Sequence, residues 1–164
     1  MSNDSMDSKT WQVLASVEKW HSASTHAAGL PPDEVVEVPD NLLVNEGILV
    51  LLNLLTGTGA ETVFGTGSYI GVGDGTTAAA VGDIDLAGSN KDYQAMEAGY
   101  PTVVAQTVTW RAIWGSTEGN FAWQEWTVAN GNSGSSKNLN RKVASLGTKG
   151  SGSSWTLTVT ITVS

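Results

Sequence analysis

The sequence contains no cysteine and only two histidines. Without cysteine the chain forms neither a disulfide nor a thiolate metal site. His21 and His26 are five residues apart, whereas two histidines that share a metal on one helical face are four apart. Asp74, Asp83 and Asp85 carry the oxygen atoms that Ca²⁺ binds, but their spacing matches no EF-hand loop. We therefore predict no metal and no cofactor.

Charged residues are also scarce, and long apolar runs are missing. Charged side chains make up 15% of the chain, against about 25% in an average soluble domain, and the net charge is −8. Nucleic-acid binding needs clustered lysine and arginine, so this balance argues against it. The longest apolar run, 48–55, is interrupted by Asn53 and is shorter than the roughly 20 residues that cross a bilayer. We predict neither a nucleic-acid nor a membrane partner.

The residues for nucleophilic catalysis do not occur as a set. A serine nucleophile needs a histidine base, both histidines lie in a weakly patterned N-terminal segment, and no Gly-x-Ser-x-Gly motif is present. Glu118 and Glu125 are a candidate carboxylate pair for glycoside hydrolysis, although either fits the solvent face of a strand equally well. We predict that the protein is not an enzyme, and a hydrolase remains the alternative to test.

The chain has β patterning instead, above all near its C-terminus. At 155–163, large apolar residues alternate strictly with threonine, which is the pattern of a half-buried antiparallel strand. Similar stretches occur at 107–114 and 121–128, and 69–73 reads as a strand that runs into an Asp-Gly turn. The sequence predicts a mainly β domain, an antiparallel sandwich or a barrel-like fold.

One pair of tryptophans conflicts with simple alternation. Trp123 and Trp126 lie in one predicted strand and are separated by an odd number of residues. One of them should therefore point away from the core, unless a bulge intervenes. An outward tryptophan is a candidate partner contact, and beside Glu125 it is a candidate platform for a sugar ring.

Residues 42–56 predict a helix. Leucine, isoleucine and valine occupy most of its circumference, so we expect it to be largely buried against the sheet. Asp40 or Asn41 is the expected N-cap, and Gly57 is the expected end. Gly47 is unfavourable inside a helix; either it allows close packing or the helix starts after it.

Residues 1–40 are rich in serine, aspartate and proline and show no core pattern. Residues 10–20 fit a short helix, and 35–38 fit a short edge strand before Pro39. We predict an extended N-terminal arm over 1–40 and a β-rich domain over 41–164. Because exposed tryptophan is unusual, we expect Trp11 and Trp20 of the arm to pack on the same chain or on a neighbouring copy.

The charges are unevenly distributed. Residues 1–40 hold most of the acidic excess, whereas 137–149 contain four basic residues and no acidic one. The two segments can attract each other within one chain or between copies; the alternative is ordinary solvated charge. The candidate partner contacts are therefore Trp11, Trp20, Trp123, Trp126, Lys137, Arg141, Lys142 and Lys149.

Several short motifs of residues 40–164 occur together. Residues 69–78 read Tyr-Ile-Gly-Val-Gly-Asp-Gly-Thr-Thr-Ala, and the same set includes 120–126, 139–142, 147–149 and 155–159. The glycine run is not a phosphate loop, because it lacks the Gly-Lys-Ser/Thr that contacts phosphate. As a set, these motifs resemble small structural proteins of tailed bacteriophages, and the strand before Gly-Asp-Gly is also similar to the start of tail-collar fibre domains.

This resemblance implies a virion protein, assembled in the host cytoplasm, without catalytic residues. One location is the capsid, where the protein decorates or cements the shell, binds other virion proteins such as the major capsid protein, and forms a homo-oligomer. The other is a tail fibre, collar or baseplate part that binds a host surface glycan. We favour the capsid, because an acidic arm that folds on its neighbours clamps a shell, and because fibrous repeats are absent.

Overall fold

Alternating apolar and polar residues produce strands in the computed structural model, which describes residues 10–133 and 136–164. The strands are β1 (Trp11–Trp20), β2 (Glu34–Pro39), β3 (Leu42–Leu43), β4 (Tyr69–Gly73), β5 (Lys91–Ala95), β6 (Thr102–Val104), β7 (Thr107–Trp114), β8 (Ala122–Ala129), β9 (Asn140–Thr148) and β10 (Ser154–Val163). Two helices, α1 (Ala23–Ala27) and α2 (Asn45–Thr56), lie between β1 and β4.

The strands form two antiparallel sheets of five strands each. Sheet A has the order β2-β1-β10-β7-β6, and sheet B has the order β3-β9-β8-β4-β5. Tryptophans pack between the two sheets. The ring centroid of Trp123 in sheet B lies 4.8 Å from that of Trp114 and 4.9 Å from that of Trp155, both in sheet A, and both pairs are edge to face. The predicted mainly β sandwich is confirmed.

The C-terminal strand β10 occupies the centre of sheet A, as its pattern predicts. It pairs with β1 on one side and with β7 on the other. Its apolar residues from Trp155 to Ile161 are buried, while Thr158, Thr160 and Thr162 are partly exposed. The alternating pattern therefore gives the strand one face toward the core and one face toward solvent.

The N-terminal segment differs from the prediction. From residue 10 onward it is not an arm, because β1 pairs with β10 along its whole length, from Trp11 opposite Val163 to Trp20 opposite Ser154. The period of two in Val13, Ala15 and Val17, all buried, outweighs the helical spacing, so the helix predicted over 10–20 is wrong. The edge strand before Pro39 is observed as β2. Residues 10–40 thus belong to the folded domain, and residues 1–9 lie outside the described residues.

Helix α2 starts later than expected. The chain first forms the short strand β3, so Val44 is the N-cap, without a side-chain hydrogen bond, in place of Asp40 or Asn41. Gly57 ends the helix with a left-handed φ of 66°, as predicted. The expected burial holds on one narrow side only, since Gly47 and Val50 are its buried residues.

Candidate protein-binding surface

The outward side of α2 is apolar. Its stripe consists of Ile48, Leu49, Leu52 and Leu55, which are 39%, 56%, 53% and 83% exposed. Their spacing of three and four residues is the spacing of a helix side that packs on another element. Single exposed leucines are common, whereas a continuous apolar stripe marks a contact surface. We call these four residues the α2 face.

The opposite side of α2 holds the helix on the sandwich. Gly47 lies directly on backbone, since a Cβ atom placed on it would be 2.3 Å from the carbonyl oxygen of Leu139. Glu46 accepts hydrogen bonds from the backbone N–H and the Nδ2 of Asn138, at 2.5 and 3.2 Å. Val50 enters the core. Gly47 therefore allows close packing, one of the two roles considered for it.

Residues 74–90, here the 74–90 loop, border the first turn of α2. The N–H of Asn45 donates to the carbonyl oxygen of Val81 at 2.8 Å, and Nδ2 of Asn138 donates to that of Ile84 at 2.6 Å. The side chains of Val81 and Ile84 are 52% and 72% exposed. The loop therefore adds two aliphatic residues next to the N-terminal end of the α2 face.

A buried carboxylate fixes the 74–90 loop. Glu125 on β8 is fully buried, and it accepts backbone hydrogen bonds from Gly75 at 3.1 Å, Ala87 at 3.1 Å and Gly88 at 2.7 Å. Its Oε2 also accepts from Nε and Nη2 of Arg141, at 2.7 and 2.6 Å. With this many donors, neither oxygen of the buried carboxylate is left without a hydrogen-bond partner.

Arg141 extends this network to the outer part of the loop. Its Nη2 donates to the carbonyl oxygen of Thr77 at 2.9 Å, and its Nη1 donates to Asp83 at 2.7 Å. Burial works against ionisation of Asp83, but the N–H of Ala80 and the Arg141 guanidinium hold the pKa of that carboxyl below its ordinary value. We call Glu125, Arg141 and Asp83 the clamp.

Three glycines make room for the clamp. A Cβ atom on Gly73 or Gly75 would lie 2.6 or 2.4 Å from Oε1 of Glu125, and one on Gly88 would lie 2.3 Å from Oδ1 of Asp74. These positions need glycine because a carboxylate and backbone atoms approach closely, and not because of a tight turn. The Gly-Val-Gly-Asp-Gly run is thus one wall of a carboxylate pocket.

A second exposed apolar area lies at one end of sheet A. Trp11 and its pairing partner Val163 are each 39% exposed, and on the edge strand β6 Val103 and Val104 are 74% and 72% exposed. These four residues belong to the strands β1, β10 and β6. We call them the sheet A end.

The predicted outward tryptophan does not exist. Trp123 and Trp126 are both fully buried, because the register between β8 and β9 shifts between Trp123 and Glu125. This irregularity is the bulge that the sequence left open as the alternative. Neither ring can contact a partner or a sugar, and Glu125 between them is not accessible to a substrate.

The other candidate contacts divide between core and surface. Trp20, Arg141 and Lys149 are 5%, 2% and 1% exposed, so they are not contacts, and two of the four basic residues of 137–149 are internal. Nζ of Lys149 donates to the carbonyl oxygen of Gly115 at 2.6 Å, and burial lowers the pKa of this amine.

Three of the eight candidates remain at the surface. Trp11 belongs to the sheet A end. Lys137 lies 3.6 Å from Oε2 of Glu46, and Lys142 donates to the carbonyl oxygen of Pro39 at 2.9 Å. Both lysines thus have partners within the chain, and Trp11 is the candidate whose apolar surface is left uncovered.

Small-molecule chemistry has little support in residues 10–133 and 136–164. No three carboxylate or imidazole groups there converge on a point that could hold a metal ion. A polar cavity of about 450 Å³ is lined by residues that include Asp85, Tyr93 and Asn138. The Asp85 carboxylate is engaged by Tyr93 and Lys91, at 2.5 and 2.8 Å, so it is part of the fold. No helix of the described residues has the length and apolar character needed to cross a membrane.

Comparison of the chain with protein-family models, with curated proteins and with solved structures found no match. The α2 face and the sheet A end are therefore assigned on their geometry. Sequence reasoning missed the α2 face, since it placed the leucines of α2 in the core; it named Trp11 as a candidate contact but placed it in an arm and not on a strand of sheet A. One sequence signal for the α2 face was present. Residues 42–56 contain more aliphatic residues than one buried side of a helix needs.

Proposed function

We propose that the protein is a non-enzymatic structural component of a tailed-bacteriophage virion, and specifically a capsid decoration protein. The observation that carries this proposal is the exposure of aliphatic and aromatic side chains on well-ordered elements, the α2 face and the sheet A end. Such surfaces suit contacts with other proteins. Residues 40–164 resemble phage structural proteins, which supports the proposal that these contacts form in a virion.

The sheet A end is the surface we assign to the shell. Trp11 is the exposed tryptophan of this area, and tryptophan is enriched among residues that dominate protein–protein binding. Val163 lies beside it on β10, and Val103 and Val104 add exposed apolar side chains on the edge strand β6, two strands beyond β10. The protein then attaches through one end of sheet A, and the clamping arm that the sequence predicted over residues 1–40 is not needed.

The competing tail assignment loses its proposed chemistry. A glycan was expected to stack on Trp123 or Trp126 beside Glu125, and all three residues are fully buried. The hydrolase alternative loses the same glutamate, because its two oxygens are occupied by Arg141 and by backbone N–H groups. A sugar cannot reach Trp123, Glu125 or Trp126, so these residues support neither alternative.

Particle composition tests the proposal. Virions of the phage that encodes the protein are separated into heads and tails. The protein is then quantified in each fraction by mass spectrometry. A decoration protein should accompany the heads in numbers on the order of hundreds per particle, as expected for a symmetric shell. Its absence from virions, or a low copy number with the tails, would overturn the proposal.

A matched pair of variants tests the assigned surface. Trp11→Ala should lower the copy number on heads by at least about tenfold, since a buried tryptophan anchor is removed. Leu14→Ala is the control, because Leu14 lies on the same strand with the same exposure of 39% but points to the other face of sheet A. Equal occupancy of both variants would contradict the assignment to the sheet A end.

A further inference from the structure

We infer that the α2 face is the contact between two copies of this chain, which pair helix against helix about a two-fold axis. The inference rests on the proposed function in one respect, namely that the exposed apolar side chains of α2 serve a protein contact. It goes beyond it by naming the occupant. Four arguments favour a second copy: the shape of the stripe, the absence of charge on it, its area, and the way the helix is held.

The shape of the α2 face suits pairing with itself. Ile48, Leu52 and Leu55 follow one another at intervals of four and three residues, the spacing with which two helices interlock their side chains at a small crossing angle. A two-fold axis across the stripe makes the two surfaces identical, so no separate complementary patch is required. An antiparallel arrangement also sets the two helix dipoles in opposition, which is favourable.

The charges around α2 allow two copies to approach. None of the α2 face residues is charged, and neither are Val81 and Ile84 beside it. The acidic residue of the helix, Glu46, is turned toward Asn138 and Lys137 and is only 11% exposed in its side chain. A foreign partner is usually specified by charged or polar groups at the rim, whereas self-pairing of an uncharged stripe needs none.

The area is sufficient for a stable pair. The α2 face together with Val81 and Ile84 exposes on the order of 600 Å² per chain, so a symmetric pair that covers all of it buries up to about 1,200 Å², the lower end of the range for specific interfaces. This surface is almost wholly aliphatic. We therefore expect a reversible dimer that forms at micromolar concentrations and not an obligate one.

The helix is held in a fixed position before pairing. Its inner side is anchored by Gly47 on Leu139 and by Glu46 on Asn138, and the clamp fixes the 74–90 loop beside it. Little conformational freedom is therefore lost when a second copy arrives, which is a condition for useful affinity from a small interface.

The experiment is sedimentation velocity of the full chain over a concentration series. The natural protein should pass from monomer to dimer as concentration rises. Leu52→Gln combined with Leu55→Gln should raise the dimer dissociation constant by at least about a hundredfold, while keeping helix propensity. Leu30→Gln is the matched control, because Leu30 is 52% exposed, like Leu52 at 53%, but lies outside α2; it should leave the dimer unchanged.

A cross-linking experiment gives a second readout that does not depend on weakened packing. Because the chain has no cysteine, Leu52→Cys introduces a unique thiol. A short bifunctional maleimide should join two copies of this variant and should not join copies of Leu30→Cys.

Each outcome has a defined meaning. Monomers at all concentrations, or a dimer that the double substitution leaves intact, overturn the inference, as does a closed trimer or larger ring held by α2. Such a result leaves the virion proposal standing if the protein still accompanies the heads. Conversely, a dimer held by α2 in a protein absent from virions contradicts the proposed function alone.

Discussion

The clamp and the α2 face reverse the usual distribution of residue types. In the clamp, Glu125 and Arg141 are buried against the 74–90 loop, whereas Leu52 and Leu55 on α2 face solvent. The charges have partners within the chain: both oxygens of Glu125 and Oδ2 of Asp83 accept hydrogen bonds. The leucines have no such partner among residues 10–133 and 136–164. This contrast indicates that the clamp serves the fold and that α2 serves an intermolecular contact.

The largest effect should come from breaking the clamp. Glu125→Gln leaves Arg141 buried without its main counter-charge, so the free energy of unfolding should fall by about 3 kcal/mol in urea titrations. The pair Glu125→Leu with Arg141→Met should not recover the loss, because the backbone N–H groups of Gly75, Ala87 and Gly88 would be left without an acceptor. A decrease of less than about 1 kcal/mol for the single variant would mean that the clamp is not a structural element.

The next largest effect is expected on the inner side of α2, where replacing a glycine by alanine should lower the free energy of unfolding instead of raising it. Gly→Ala normally stabilises a helix by about 1 kcal/mol. Here Gly47→Ala should destabilise the protein by about 1–3 kcal/mol, since the new Cβ would lie 2.3 Å from the Leu139 oxygen. Gly67→Ala, with no atom within 4 Å of its added Cβ, should change the free energy of unfolding little. Increased stability of Gly47→Ala would show that α2 does not pack this closely.

A smaller effect should appear at low pH. Because the pKa of Asp83 is lowered in the folded state, its contribution to stability is present above its unfolded pKa of about 4 and is lost as pH falls through the lowered value. Asp83→Asn should therefore cost about 1 kcal/mol at neutral pH and less in acid, as measured by urea midpoints across pH. Glu37→Gln, at an exposed position on β2, is the control. A loss that is the same at every pH would contradict this account.

The smallest effect on the monomer should come from the α2 face itself. At concentrations where the chain is monomeric, Leu52→Gln should change the free energy of unfolding by no more than about 0.5 kcal/mol, because the side chain is already half exposed. A loss above about 1 kcal/mol would show that Leu52 packs within its own chain, and the contrast between α2 and the clamp would disappear.

Strand patterns were predictable where the alternation was long and strict. β10 alternates over nine residues between Trp155 and Val163, and no helical reading competes with it. β1 was missed because Trp11, Leu14 and Val17 also fit a helical period, and only the pairing with β10 and β2 decides between the two. Tertiary contacts thus override a local pattern of ten residues.

The clamp could not be read from the sequence. Arg141 is 16 residues from Glu125 along the chain, and the N–H groups of Gly75 and Gly88 are 50 and 37 residues away. The odd spacing of Trp123 and Trp126 left a bulge in β8 open as an alternative, but it did not indicate which residues Glu125 contacts. The α2 face was misplaced for a related reason: hydrophobicity predicts that leucines are buried, but not whether the burying surface belongs to the same chain.

The most direct test of the central claim is the labelling rate of a thiol on the α2 face. Leu52→Cys is treated with a maleimide in dilute solution and again on intact virions, with Leu30→Cys in parallel. We predict rapid labelling of both variants in dilute solution, and strong protection of the Leu52→Cys thiol alone on virions, because the α2 face is covered when the protein is assembled. Equal labelling of that thiol in both states would contradict the account.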